Sequence, residues 1–345
     1  MPGHDLVIIG GSAGSLEPLQ MILEHLPVDF PATILVTIHV SRHSPGHLAE
    51  MLGHHARIPV VYAEDRQRLQ PGMALIAPSD RHLLVQDGAI RLSRGPRENR
   101  ARPAIDPMFR SAAEFHRERV VAVILSGLLD DGAQGLMAVA RAGGKIIVQD
   151  PGEALHPDMP QAALRYAPVD EVLPAREIGG RLIELAAEDV APTGARSETA
   201  AVPDGDDFGR GGFDTTGHPS GFACPDCHGA LWELRDGELV RFRCRTGHAY
   251  SADNAAAALD EEVERALWAA LRALEEKGAL ARKLMASAAG RDIPVVVGMY
   301  EKRLRDAEDS ARTLRRVLGA EKARLARLTD SPEPVVVDST NEPES

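Results

Sequence analysis

The first residue able to do covalent chemistry is a serine set among glycines. Leu6-Val7-Ile8-Ile9 runs into Gly10-Gly11-Ser12-Ala13-Gly14-Ser15, and a helical pattern begins at Leu16. Gly10-x-Ser12-x-Gly14 is the spacing of a nucleophile elbow, in which a sharp strand-to-helix turn lifts a serine hydroxyl clear of the sheet. The helix start beside it offers N–H groups that can stabilise an oxyanion. A dinucleotide-binding turn shares this frame but needs G-x-G-x-x-G and an acidic residue about 20 positions further on. Here Ser12 and Ser15 replace the second and third glycines, and the second strand ends Thr37-Ile38-His39. The cofactor reading therefore fails at two separate positions.

A serine nucleophile needs a base, and the base needs an orienting carboxylate. His39 lies at the end of the strand-like run Thr33–His39, and Asp131 lies beyond the apolar run Val120–Ser126, within Gly127-Leu128-Leu129-Asp130-Asp131-Gly132. In a parallel sheet all three positions come out at the carboxyl edge, where open α/β sheets place their sites. Each residue has a plainer reading: Ser12 as a helix cap, His39 as a hydrogen-bonded strand end, Asp131 as a cap before Ala133. Their coincidence favours catalysis. His39, His43 and His47 are spaced by four like helical metal ligands, but Pro45-Gly46 breaks any helix there.

The second chemical cluster is far along the chain. All three cysteines fall between residues 224 and 244, an odd count that is no disulfide framework and reads as metal chemistry in a reducing compartment. Cys224-Pro225-Asp226-Cys227 and Cys244-Arg245-Thr246-Gly247-His248 give C-x2-C and C-x3-H, separated by sixteen residues. Cys224, Cys227, Cys244 and His248 are the four ligands of a structural zinc with no open position, in a segment too short to fold on its own core. Leu231–Leu234, Asp236-Gly237 and Leu239–Phe242 read as a hairpin, as in a zinc ribbon. His228 competes as a ligand but is adjacent to Cys227. Reduced cysteines in a small β-hairpin are the alternative.

The elements that must position these groups follow from the hydrophobic pattern. Residues 5 to about 187 alternate short apolar runs with helical patterns, which means βαβ units and a mostly parallel, doubly wound sheet. The expected strands are Asp5–Ile9, Thr33–His39, Ile58–Tyr62, Met73–Ala77, His82–Gln86, Ala89–Ser93, Val120–Ser126 and Lys145–Gln149; the expected helices are Leu16–His25, Leu48–Leu52, Ile105–His116 and Gly135–Ala142. The resulting division is an α/β domain over 1–187, a flexible linker over 188–220, the zinc-ribbon-like module over 221–250, a helical hairpin over 251–330 and a disordered tail over 331–345. Ser251 caps the first long helix, with Leu259, Val263, Leu267, Ala270, Leu274 and Ala281 on one stripe. The second helix, after Pro294, carries Tyr300, Leu304, Ala307, Ala311, Leu314 and Leu318. The stripes predict an antiparallel hairpin, favouring mutual burial and leaving self-association through these helices open.

Composition excludes several classes. The 345 residues carry 39 basic and 51 acidic groups, a net charge of −12, the wrong sign for a nucleic-acid binder. No apolar run reaches the ~18 residues that cross a bilayer, and the first residues lack the basic start of a signal peptide. The expected location is the cytoplasm.

With those residues in hand, the α/β half resembles the catalytic domain of chemotaxis-type protein-glutamate methylesterases (CheB-like). The matching pieces are Ile9-Gly10-Gly11-Ser12-Ala13-Gly14, Ile38-His39, Ile76-Ala77-Pro78-Ser79-Asp80-Arg81-His82, Arg102-Pro103-Ala104-Ile105-Asp106, Ser126 to Gly132, and Gln149-Asp150 with Met159-Pro160. The resemblance implies hydrolysis of γ-glutamyl methyl esters on a methylated receptor or other signalling protein, with the triad on Ser12, His39 and Asp131 and no catalytic cofactor. In the mechanism, the N–H of Ala13 is among those that receive the oxyanion. Glutamine deamidation is the alternative within enzymes, and a non-catalytic signalling scaffold the alternative outside them. Two departures bear on substrate: the usual Ser-Thr-Gly-Gly reads Ser12-Ala13-Gly14-Ser15, and the usual Gly-Met-Gly before the aspartate reads Gly127-Leu128-Leu129. With its first strand at Asp5, the chain is expected to be a form without the preceding receiver domain.

Overall fold

Runs such as Val120–Ile124 and Lys145–Gln149 are apolar at nearly every position because both faces of their sheet are covered. In the computed structural model, which describes residues 3–40, 46–190, 217–236, 239–291 and 293–329, these runs are strands of one parallel sheet. The strands are β1 (Leu6–Gly11), β2 (Thr33–Ile38), β3 (Val60–Tyr62), β4 (Met73–Ile76), β7 (Val120–Ile124), β8 (Lys145–Gln149) and β9 (Glu171–Leu173), in the order β3-β4-β2-β1-β7-β8-β9. Strands β5 (His82–Gln86) and β6 (Ala89–Ser93) form a separate antiparallel hairpin.

Successive side chains of a strand point to opposite faces, and two cores follow. Leu6, Ile8, Leu35 and Leu75 pack against Ile105, Met108, Phe109, Leu136 and Met159 on one side. Val7, Ile9, Ile34 and Val36 pack against Leu19, Ile22, Leu52, Ile178 and Leu182 on the other. The covering helices are α1 (Leu16–His25), α2 (Leu48–Gly53), α3 (Ile105–His116), α4 (Ala133–Arg141), α5 (Asp158–Tyr166) and α6 (Ala175–Ala187). The doubly wound α/β architecture is thus present. The pattern did not single out α5, β9 or α6: β9 is a three-residue edge strand, only partly buried, so no continuous apolar run marks it.

Four further strands form an antiparallel sheet, β10 (His218–Ala223), β11 (Ala230–Asp236), β12 (Leu239–Cys244) and β13 (Ala249–Ser251). Its core is small: Cys224, Leu231, Phe242, Cys244 and Tyr250, with Ala255 and Ala258 from the first turns of α7 (Ala252–Ala289). Ser251 caps that helix, its Oγ accepting the Asn254 N–H at 3.1 Å. By backbone proximity the chain divides into two units, Met1–Ala258 and Leu259–Ser345. This small sheet belongs to the first.

In the second unit, α7 and α8 (Pro294–Thr329) meet through Leu271, Ala311 and Leu318, flanked by Leu267, Leu274 and Leu314. The seam corrects the expected stripe. Ala270 is exposed and Leu271 buried, while Leu259 and Val263 face solvent. The true seam steps 267, 271, 274, 278, 281, and so keeps the 3.5-residue repeat. Most of the expected linker and all of the expected tail at 331–345 lie outside the described residues, as does His43.

Candidate active site

Strand β1 lies between β2 and β7, with Gly10 level with both Thr37 and Ile124. The turns leaving these three strands therefore emerge side by side at one edge. Ser12 follows β1, His39 follows β2, and Asp131 ends the loop after β7. The register brings the three predicted residues together: His39 Nδ1 is 3.2 Å from Ser12 Oγ, and His39 Nε2 is 2.7 Å from Asp131 Oδ2. A carboxylate can only accept, so Nε2 carries the proton and Nδ1 is left as the acceptor facing the serine hydroxyl.

The serine turn is built to be held from below. The Ser12 N–H donates to the Ser126 carbonyl at 3.0 Å, and the Ser15 hydroxyl donates to the Ser12 carbonyl at 2.6 Å. Gly14 has φ +75°, in the left-handed region that glycine enters without strain. A Cβ on Gly127 would fall 2.9 Å from Ser12 Cβ and closer still to Met159 Sδ, so this approach requires glycine. Ser126 and Gln149 lock the neighbouring loop, the Ser126 N–H donating to Gln149 Oε1 at 2.9 Å. Ala13 sits in this turn, its carbonyl accepting the Ser126 hydroxyl at 2.9 Å.

Asp131 is buried at the N-terminus of α3, where unpaired N–H groups favour an anion. Oδ2 accepts the Ile105 N–H at 2.7 Å, and Oδ1 accepts the Asp106 N–H at 3.3 Å and the Asn99 side-chain amide at 2.8 Å. Burial alone would raise its pKa; the hydrogen bond and charge of His39, with the Ile105 and Asn99 donors, outweigh this and hold it below the usual carboxylate range. The adjacent carboxylate behaves oppositely. Asp130 Oδ1 accepts the Ser251 hydroxyl and the Asn254 amide, each at 2.6 Å, and burial pushes its pKa up to about 6. Asp106, next to Asp131, is pushed up to about 7 by burial and then by the Asp131 charge.

A pocket of about 290 Å³ opens over these groups, lined by Ser12, His39, Leu128, Leu129, Asp131 and Asn254 among others. Leu129 has φ +62°, a conformation that strains a residue with a Cβ. It stands where the resemblance sets glycine, a residue that enters this region without strain, and its isobutyl group lines the pocket.

Comparison with known proteins bears on residues 7–182, which match the CheB methylesterase family model. The chain belongs to the CheB methylesterase family. It is 38% identical over 187 residues to protein-glutamate methylesterase/protein-glutamine glutaminase 1 of Xanthomonas campestris pv. campestris, covering 53% of this chain and 52% of that one. A putative protein of the same name from Leptospira interrogans is 35% identical over 183 residues, covering 53% of this chain and 95% of its own. The solved CheB methylesterase catalytic domain of Thermotoga maritima matches with TM-score 0.50 and 37% identity, over 52% of this chain and 98% of that one. This chain spans about half the length of the first curated relatives.

The cysteine cluster lies outside the CheB match. Ligand atoms of Cys224, Cys227, Cys244 and His248 all fall within 4.8 Å of one another. Cys227 and Cys244 sulfurs are 3.6 Å apart, and His248 Nδ1 is 3.7 Å from Cys224 Sγ and 3.5 Å from Cys244 Sγ. Tetrahedral zinc with bonds of about 2.3 Å has sulfur–sulfur edges of about 3.8 Å, so these residues fit a metal. His228 is not in this group. Among the described residues no helix is long and apolar enough to cross a membrane.

Sequence reasoning assigned no role to Asn99, Asp106, Arg241 or Asn254, and gave Ser251 a helix cap but no place at the site. Asp106 was visible inside Arg102-Pro103-Ala104-Ile105-Asp106. The others come from a turn, from the small sheet and from the first turn of α7, and no spacing rule joins these.

Proposed function

We propose that this chain is a serine hydrolase that cleaves γ-methyl esters of glutamate side chains on a methylated chemoreceptor or similar signalling protein, releasing methanol in the cytoplasm. The carrying observation is the Ser12–His39–Asp131 relay at the sheet edge of a CheB-family chain. His39 Nδ1 takes the Ser12 proton as Oγ attacks the ester carbonyl. Asp131 holds the Nε2–H tautomer and stabilises the imidazolium that forms. The Ala13 N–H, in the turn just beyond the nucleophile, receives the oxyanion. His39 then protonates the departing methoxide, and water attacks the acyl-serine to leave glutamate and a free Ser12. The same steps on a glutamine carboxamide release ammonia, and the names of the relatives carry that second activity for those proteins.

Cys224, Cys227, Cys244 and His248 would hold a zinc ion whose contribution is structural, since four protein ligands leave no position for substrate. Catalysis draws on no cofactor.

The test is methanol release from a methylated receptor fragment, with ammonia followed in parallel on the unmethylated glutamine form. Wild-type release that falls by about 10⁴-fold or more in Ser12→Ala is expected for loss of a nucleophile. Release unchanged in Ser12→Ala would overturn the assignment, and ammonia without methanol would make the chain a deamidase.

A further inference from the structure

Behind Asp131 lies a group of buried charges that the hydrolytic steps do not use. Glu98, Asp106 and Asp131 are all buried. Arg110 of α3 meets Glu98 through two contacts of 2.7 and 2.9 Å. The second cation comes from the cysteine-bearing sheet: Arg241 of β12 lies 3.9 Å from Glu98. Asn99 sits among them. Its Nδ2 donates to Asp131 Oδ1 at 2.8 Å and to Asp106 Oδ2 at 2.9 Å. Its Oδ1 accepts the Ser251 N–H at 3.0 Å, and its own N–H donates to the Ala249 carbonyl at 2.8 Å.

We propose that residues 241–254 are a working part of the hydrolytic site: the Ser251 N–H and the Arg241 guanidinium position Asn99 and the carboxylates behind Asp131, and Asn254 walls the pocket. This rests on Ser12, His39 and Asp131 being the hydrolytic centre.

A carboxamide has a donor end and an acceptor end. Turned over, Asn99 would aim its oxygen at two carboxylates; the Ser251 N–H holds that oxygen on the far side. The Asn99 amide then anchors Asp131 Oδ1, which leaves Oδ2 to face His39. Arg241 and Ser251 face each other across the β12–β13 ladder, so both anchors move with one small sheet. Arg241 answers a charge problem, because Glu98 and Asp131, joined by Asp106 whenever it ionises, would repel one another beside a single guanidinium. Burial, then Arg110, lowers its pKa to about 10, still cationic at neutral pH, and it favours the charged form of both Glu98 and Asp106. Asp130 completes the attachment by accepting from Ser251 and Asn254. Arg241, Ser251 and Asn254 are therefore positioning residues that lie beyond the segment matched by the CheB family model.

The test uses the full chain and a fluorophosphonate that labels an activated serine, measuring the maximal labelling rate and the half-saturating probe concentration separately, with Ser12→Ala as blank. Two variant pairs keep folding apart from positioning. Ser251→Ala and Ser251→Pro both lack the hydroxyl, and only the second lacks the N–H. Arg241→Met removes the charge, and Arg241→Lys keeps it; the 3.9 Å approach to Glu98 is a charge contact that an ammonium can supply. The maximal rate for Ser251→Pro should fall about tenfold below Ser251→Ala with half-saturation unchanged, and that for Arg241→Met about tenfold below Arg241→Lys. Equal rates within both pairs would overturn the proposal while leaving the hydrolase intact. Wild-type chain that labels no faster than Ser12→Ala would remove both.

Discussion

The α/β domain and the cysteine-bearing sheet meet at one pocket but are held together by different means. The first buries two apolar layers on either side of seven strands. The second has one small cluster of apolar and cysteine side chains, a cysteine–histidine group that fits a metal, and a polar attachment through Asn99, Asp130 and Glu98. A large core fixes its strand ends through many redundant contacts, each worth little. A small sheet has no such reserve and depends on a few specific groups. Ser12, His39 and Asp131 all stand just past strand ends of the redundant region, and the small sheet adjoins them through Asn99.

Adjacent carboxylates give the sharpest way to break that comparison. Asp131→Asn should cost about 10³–10⁴-fold in kcat, because an amide at that position fixes the wrong imidazole tautomer. Asp130→Asn should cost no more than about tenfold, since it loosens attachment and leaves the relay in place. Methanol-release kinetics decide it, and a reversed order would exchange the two roles.

Next in size is packing. Phe109→Ala should lower global stability by about 3–5 kcal/mol in denaturant titration. Cys244→Ser should leave that transition in place while abolishing bound zinc and hydrogen-exchange protection over 218–258. Loss of the α/β transition in the cysteine variant would show that the two regions fold as one.

A smaller effect separates the carboxylates by pH. Asp106 has a folded pKa of about 7 against about 3.9 unfolded, so the folded state holds the extra proton. Its contribution to stability is present at low pH and is lost as pH rises through 7. Relative to Asp106→Asn, the wild type should gain about 1 kcal/mol between pH 8 and pH 6. A gain in the opposite direction would mean that Asp106 is the charged partner.

Smallest is the surface of the helical hairpin. Arg282 and Glu308 pair at 3.0 Å with both side chains exposed, so a double-mutant cycle should give under about 0.5 kcal/mol. A larger value would indicate that this face is covered.

Ser12, His39 and Asp131 were legible in the sequence because each stands just past a recognisable buried strand, and parallel strands end at a common edge. The sheet was legible for the same reason, through runs that are apolar at every position. Edge strand β9 was not, because partial burial leaves no run to see. In α7 the expected stripe took Ala270 where the seam has Leu271, since 3-4 and 4-3 steps both carry Leu267 to Leu274 and only packing against α8 chooses between them. The contacts that Asn99, Arg241 and Ser251 make behind the relay were illegible for a stronger reason. Ser251 lies 152 positions from Asn99, and neither residue type announces a partner.

The amino-acid sequence by itself determined which nucleophile, base and carboxylate stand at the strand ends, and the four sulfur and nitrogen groups that a metal would take. Those depend on residue type and on spacing within a turn, both local. Only the tertiary structure decided which nitrogen of His39 faces Ser12, why Asp130 and Asp131 differ in proton affinity, and that a second small sheet packs against the carboxylates behind the relay. Orientation, burial and long-range pairing arise from how distant segments dock, and no local pattern encodes them.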